Sequence, residues 1–181
     1  MDQRKIKMSF LILAYPRLDP ADLQKIQQFR EQHDELHFGV VDPHFTFVFP
    51  TSSVTEEQLL EEVRTKIQNS GPIEFVLRCA VVSKDAFRDC YHVFLVPEEG
   101  YSRIVKLHDK LYSGVLKSEL RLDIDFIPHI GIANSTDAGH CKKIADAWNE
   151  SDFAIAGTIS QLSLVKYGND QVTTLHTVLL K

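Results

Sequence analysis

The order strand–helix–strand–helix–strand runs through this chain twice, and that repetition limits the fold more than any other feature. An apolar run rich in strand-forming residues covers 7–15 (KMSFLILAY). Asp19-Pro20 then opens a helix, with aspartate as N-cap and proline at the first helical position. A strand is predicted at 44–49, a helix near 55–69 that stops at Gly71-Pro72, and a long strand at 73–83. The second pass places a strand at 90–97, a helix over about 101–118, a strand at 129–133, a helix near 137–149 and a strand at 153–166. Gly168-Asn169-Asp170 turns the chain into a last strand, 172–180, which pairs back as a hairpin. A duplicated unit tends to pack on its copy about a pseudo-two-fold axis, so equivalent strands should face each other. The expected organisation is one bilobal domain over 1–181, with repeat one near 7–83 and repeat two near 90–166.

Each half carries one histidine right after a proline at the head of an apolar strand: Pro43-His44-Phe45-Thr46-Phe47 and Pro128-His129-Ile130-Gly131-Ile132. The interval from the first strand to that histidine is nearly the same in both halves. Residues i and i+2 of a strand share a face, so His44 and Thr46 line one side while Phe45 and Phe47 bury on the other. Two imidazoles across a cleft can work in tandem, one accepting a proton and one donating, because an unperturbed pKa of roughly 6.5 lies close to neutral pH. A hydroxyl two residues from an imidazole can hold a phosphate oxygen while the ring acts on the neighbouring ester.

A net charge of −5 argues against binding to long nucleic acid through phosphate neutralisation, though not against a nucleotide or an RNA end in a local pocket. Three cysteines, Cys79, Cys90 and Cys141, have no paired spacing and read as reduced thiols. The opening segment, Met1 to Met8, is charged and leads into too few apolar residues for a signal-peptide core or a membrane span. A cytoplasmic protein without membrane association is expected, with a monomer favoured. His140-Cys141 does not form a metal motif, since adjacent helix positions do not face one another. His92 and His108 read as ordinary core or surface residues, and His33 and His37 as residues near a helix end.

Two histidine strands in a repeated unit, one of them a complete His-x-Thr/Ser-x motif, resemble the two-histidine phosphoesterase superfamily, which includes 2′-5′ RNA ligase-like proteins and RNA 2′,3′-cyclic phosphodiesterases. The resemblance covers nearly the whole chain. It implies an α+β fold of duplicated units, with mainly antiparallel sheets facing a central cleft and helices outside. It implies catalytic roles for His44 and His129 and phosphate binding by Thr46. Gly131 departs from the pattern by standing where the family carries a hydroxyl, so only its backbone could meet a phosphate. The implied partner is a nucleotide or RNA terminus bearing a cyclic phosphate or a 2′-5′ linkage. The implied chemistry needs no metal or other cofactor. Lys166, Tyr167 and Tyr15, at strand ends, are candidate substrate contacts, and Asp123 or Asp125 a candidate partner for an imidazole. Three rival readings remain: a nucleotide-binding module whose catalysis is reduced by Gly131, a structural domain, and a hydrolase using His44 and His129 as metal ligands.

Overall fold

The computed structural model describes residues 8–181; Lys7 of the first predicted strand, and most of the charged opening segment, lie outside them. Among the described residues nine strands and four α-helices follow one another: β1 (Ser9–Ala14), β2 (Arg17–Leu18), α1 (Pro20–His33), β3 (Phe45–Thr51), α2 (Glu56–Lys66), β4 (Ile73–Lys84), β5 (Tyr91–Glu99), α3 (Tyr101–Leu111), β6 (Ile130–Ser135), α4 (Ala138–Glu150), β7 (Ile155–Ile159), β8 (Gln161–Gly168) and β9 (Gln171–Leu179). Local chemistry starts the helices where the sequence says. The Asp19 carboxylate accepts from the Ala21 N–H at 2.9 Å ahead of Pro20. Thr55 and Gln58 form a reciprocal capping box, and Asp137 accepts from Gly139 and His140. α3 instead begins at Gly100 with φ +82°, where an added Cβ would sit 2.4 Å from the Glu74 carbonyl oxygen. Only glycine fits that entry.

The strands form two antiparallel sheets, ordered β3-β1-β8-β9 and β2-β7-β4-β5-β6. The pseudo-two-fold relation is visible in these orders. The triplet β3-β1-β8 in one sheet answers β6-β5-β4 in the other. Each half therefore gives its last strand to the sheet built by the opposite half. The helices do the same: α1 packs against β6, and α3 packs against β3.

Two sequence expectations change. The strand expected at 153–166 is two strands, β7 and β8, interrupted at Ser160 and belonging to different sheets. A polar pair, Ser160-Gln161, sits at the break, but the change of sheet is set by pairing with β4 on one side of it and β1 on the other. The helix expected over 101–118 ends at Leu111, and a 3-10 turn at Lys117–Glu119 follows. Asn169 and Asp170, both at positive φ, make the expected tight turn between β8 and β9.

The apolar faces of both sheets and all four helices share one core. Phe45 of β3 and Phe75 of β4 are both essentially inaccessible, and their rings meet edge to face with centroids 5.0 Å apart. This contact ties one sheet to the other directly beneath the first histidine. Phe45→Ala and Phe75→Ala should each cost about 3–5 kcal/mol. The double variant should lose about 0.5–1.5 kcal/mol less than the two single losses together, as expected of aromatic partners. Urea denaturation of the four proteins reads both quantities.

Candidate active site

His44 and His129 occupy matched places, each one residue before a strand that lies at the outer position of its triplet, β3 or β6. Both rings line a single cavity of about 320 Å³ between the sheets, together with Thr46 and Gly131. Thr46 stands opposite Leu13, which stands opposite Ser163. Gly131 stands opposite Phe94, which stands opposite Val81. The two motifs thus enter the cavity through equivalent rows of the two sheets.

The same device orients both rings. Nδ1 of His44 lies 2.7 Å from the Asp42 carbonyl oxygen, and Nδ1 of His129 lies 2.6 Å from that of Ile127. Each carbonyl precedes the motif proline. With Nδ1–H donating there, the proton of the neutral ring is placed on Nδ1, and Nε2 is left with its lone pair for a ligand. Neither Asp123 nor Asp125 takes this role. Asp123 is bound by the Arg121 guanidinium at 2.6 and 2.7 Å, which holds its pKa down at about 2. Asp125 lines the cavity.

Each ring presents a part-open face to the cavity, yet the protein packed around it makes a charged ring costly. Burial is the largest influence on both, and it pushes the pKa of each down to about 4. The carbonyl hydrogen bonds oppose this, while the charges of Arg30 and His37 at His44, and of His44, His92 and His37 at His129, reinforce it. Both imidazoles are therefore neutral at pH 7. Beyond these features the rings differ in setting. His129 stacks on Phe94 with centroids 3.5 Å apart, whereas His44 meets Tyr15 edge to face at 6.3 Å.

The floor of the cavity holds a polar network, buried at Arg30 and Asp34, that joins the halves. Arg30 of α1 donates to Asp34 at 2.9 Å, to Gln27 at 3.1 Å and to the Val41 carbonyl at 2.8 Å. Asn134 of β6 donates to Asp34, and the Gln27 amide donates to Asp42 at 3.0 Å. α1 thereby fixes the 41–43 segment that delivers His44. Burial works to raise the Asp34 carboxyl, but hydrogen bonds from His37 and Arg30 outweigh it and hold it below its usual range.

Not every residue singled out from the sequence reaches the cavity. Lys166 pairs with Phe10 and Thr173, on the side of the sheet opposite that of Leu13 and Ser163, because strand side chains alternate. Tyr167 has the parity of Ser163 but lies four residues further along β8, about 13 Å at ~3.3 Å per residue, and its hydroxyl donates to Asp170. Tyr15 touches the site only through His44. Conversely, Arg30, Asp34, His37, Asp85 and His92 line the cavity and were not foreseen. Arg30, Asp34 and His37 recur at helical spacing, which was the available signal. His92 shares strand parity with Phe94, whose ring covers His129.

A profile of the 2′-5′ RNA ligase superfamily matches residues 17–171. The chain belongs to this superfamily. The fold is similar to that of E. coli LigT, solved with 3′-AMP, which superposes with a TM-score of 0.62 at 18% identity over 97% of this chain and 98% of that one. Usb1 of Kluyveromyces marxianus, solved with uridine monophosphate, gives 0.52 at 13% identity over 93% and 97%. At these identities the fold alone is shared. A protein of Bacillus licheniformis provisionally named a phosphoesterase is 25% identical over 126 residues, 70% of each chain. The superfamily is one of phosphoesterases, as the two histidine motifs implied.

The depressed histidine pKa values carry a stability consequence. Between pH 4 and 6.5 the unfolded chain, with ordinary histidines, binds more protons than the folded one. Stability is full above pH 6.5 and falls as pH drops toward 4. Melting temperature followed over that window should fall in the wild type, and less steeply in His44→Gln/His129→Gln.

Proposed function

We propose that the protein is a phosphodiesterase that opens a 2′,3′-cyclic phosphate, or a 2′-5′ linkage, at the end of a nucleotide or RNA. His44 and His129 are the acid–base pair in this reading. The observation that carries it is that both histidines line one cavity with Nδ1 tethered to the carbonyl two residues back. That leaves two Nε2 atoms to share one phosphate.

In the reaction one neutral Nε2 takes a proton from water, and the water oxygen bonds to phosphorus. The bond from phosphorus to one ribose oxygen breaks, and the other imidazole gives that oxygen its proton. The donor ring has to be charged first. An anionic phosphate beside it supplies the reason, since a neighbouring negative charge raises a histidine pKa. A site with two neutral rings thus becomes one neutral and one charged ring when the substrate enters. Run in reverse with a ribose hydroxyl in place of water, the same geometry forms the linkage. No step calls for a metal. Thr46, two residues after His44 on the same wall, is assigned to a phosphate oxygen, with the Gly131 backbone on the other side. Nucleotide ligands in the LigT and Usb1 structures favour a nucleotide here.

Gly131 favours a second reading, a binding module with weakened catalysis, because one family hydroxyl is missing. The space for it remains: a Cβ at Gly131 would meet nothing within 4 Å. Turnover of a nucleoside 2′,3′-cyclic phosphate tests both readings. His44→Ala and His129→Ala should each reduce kcat/KM by about 10²–10⁴-fold. Equal rates in all three proteins would reject the mechanism, and nucleotide binding without turnover would select the binding module. Gly131→Ser should raise kcat/KM by about tenfold or more, the order that a hydrogen bond of about 1.5–3 kcal/mol to a charged group contributes.

A further inference from the structure

The turn between β4 and β5 gathers a second set of chemistry-bearing side chains that the two-histidine mechanism does not use. The Asp85 N–H donates to the Cys90 carbonyl at 2.9 Å and closes the hairpin, so these residues stand opposite one another. His92 follows Cys90 by two residues and returns to the same face. Asp85 Oδ2, Cys90 Sγ and His92 Nε2 converge, all lying within 4.8 Å of one another. His92 Nε2 is 2.8 Å from the carboxylate oxygen and 3.8 Å from the sulfur. The second carboxylate oxygen accepts from the Phe87 and Arg88 N–H groups at 2.6 and 2.7 Å, which aims the first at the cluster. The His92 ring lies against the rings of Phe94 and His37. Cys90 and His92 are buried.

We propose that Asp85, Cys90 and His92 form a binding site for a zinc-type divalent cation on the wall of the cavity. One thiolate, one imidazole and one carboxylate are a donor set suited to zinc, which takes sulfur and nitrogen ligands at about 2.0–2.3 Å in a tetrahedron. Ligand atoms around such an ion stand about 3.2–3.8 Å apart. The separations here run from 2.8 Å to no more than 4.8 Å and so bracket that range. Three protein ligands leave a fourth position, and Asp85 and His92 both line the cavity, so that position opens toward it. The charges balance, since thiolate and carboxylate together offset the two positive charges of the ion. Cys90 gives up its sulfur proton on binding, and the His92 ring binds the ion through Nε2 with its hydrogen on Nδ1. Burial and the Asp85 charge raise the Cys90 thiol pKa, so without a cation the proton stays on sulfur.

The spacing Asp-x4-Cys-x-His is what puts these atoms together, because the first two residues bracket a closed hairpin and the third is one pleat on. Such an ion would bring positive charge to the wall of the phosphate cavity, beside the Phe94 ring that covers His129. The site stands apart from the proposed histidine mechanism, because its test reads the metal and not turnover.

The test is titration of cobalt(II) into the full, reduced, metal-free protein, followed by absorbance. The expected result is saturation at one equivalent, with a near-ultraviolet thiolate-to-cobalt band, tetrahedral visible bands and displacement of both by zinc. Cys90→Ser should abolish the thiolate band, whereas Cys79→Ser and Cys141→Ser should keep it. Asp85→Asn and His92→Gln should weaken cobalt affinity by tenfold or more, with far-ultraviolet circular dichroism showing that each variant is folded. A wild-type spectrum without the thiolate band overturns the proposal and leaves the Asp85–His92 pair as a clamp on the turn. So does a thiolate band that survives in Cys90→Ser.

Discussion

The backbone ladders joining β8 to β1 and β4 to β5 hold the halves of this molecule in one arrangement. Each ladder takes the last strand of one half and pairs it with the first strand of the other. Backbone N–H and C=O groups buried at those strands have no other partners, so neither half can satisfy its hydrogen bonds alone. The consequence reaches the site. With β1 and β5 locked to strands from the opposite half, β3 and β6 are presented on facing sheets, and the histidines before them enter one cavity. The Arg30–Asp34–Asn134 network adds a polar weld between α1 and β6 at its floor.

The chemistry of the cavity follows from enclosure. Rings walled by protein and tethered at Nδ1 are held neutral by burial, and in the proposed reaction a bound phosphate reverses the balance at one of them. Neutral rings also spare the cavity the repulsion of two like charges. Thr46 and Gly131 then mark the main asymmetry between the motifs: two-fold related backbones carry a hydroxyl on one side and open space on the other. Tyr15 beside His44 and Phe94 beneath His129 extend that difference to the aromatic contacts.

Much of this was legible before folding. His44, Thr46, Phe45 and Phe47 alternate as a strand with one wet and one dry face, and Phe45 and Phe47 are indeed buried. Asp19-Pro20 and Thr55 open helices by local hydrogen bonding, which needs no tertiary partner. What escaped was whatever depends on pairing between distant segments. The polar pair Ser160-Gln161 divides the 153–166 stretch between two sheets, and that pair by itself does not say that the partner strands change there. Lys166 and Tyr167 were near the site by strand order but are removed from it by parity and by distance along β8. His92 looked like a core residue because its cavity face is created by Asp85 and His37, from other elements.

The amino-acid order alone determined the repeat, the element types, and the two proline-histidine strands that carry the superfamily's signature, because periodicity, caps and turn chemistry act over a few neighbouring residues. Tertiary structure alone decided that β4 and β8 cross to the opposite sheets, that both imidazoles are tethered and neutral in one cavity, and that Asp85, Cys90 and His92 meet. Those outcomes depend on long-range backbone pairing and on desolvation by surrounding protein, and neither is a property of any short stretch of sequence.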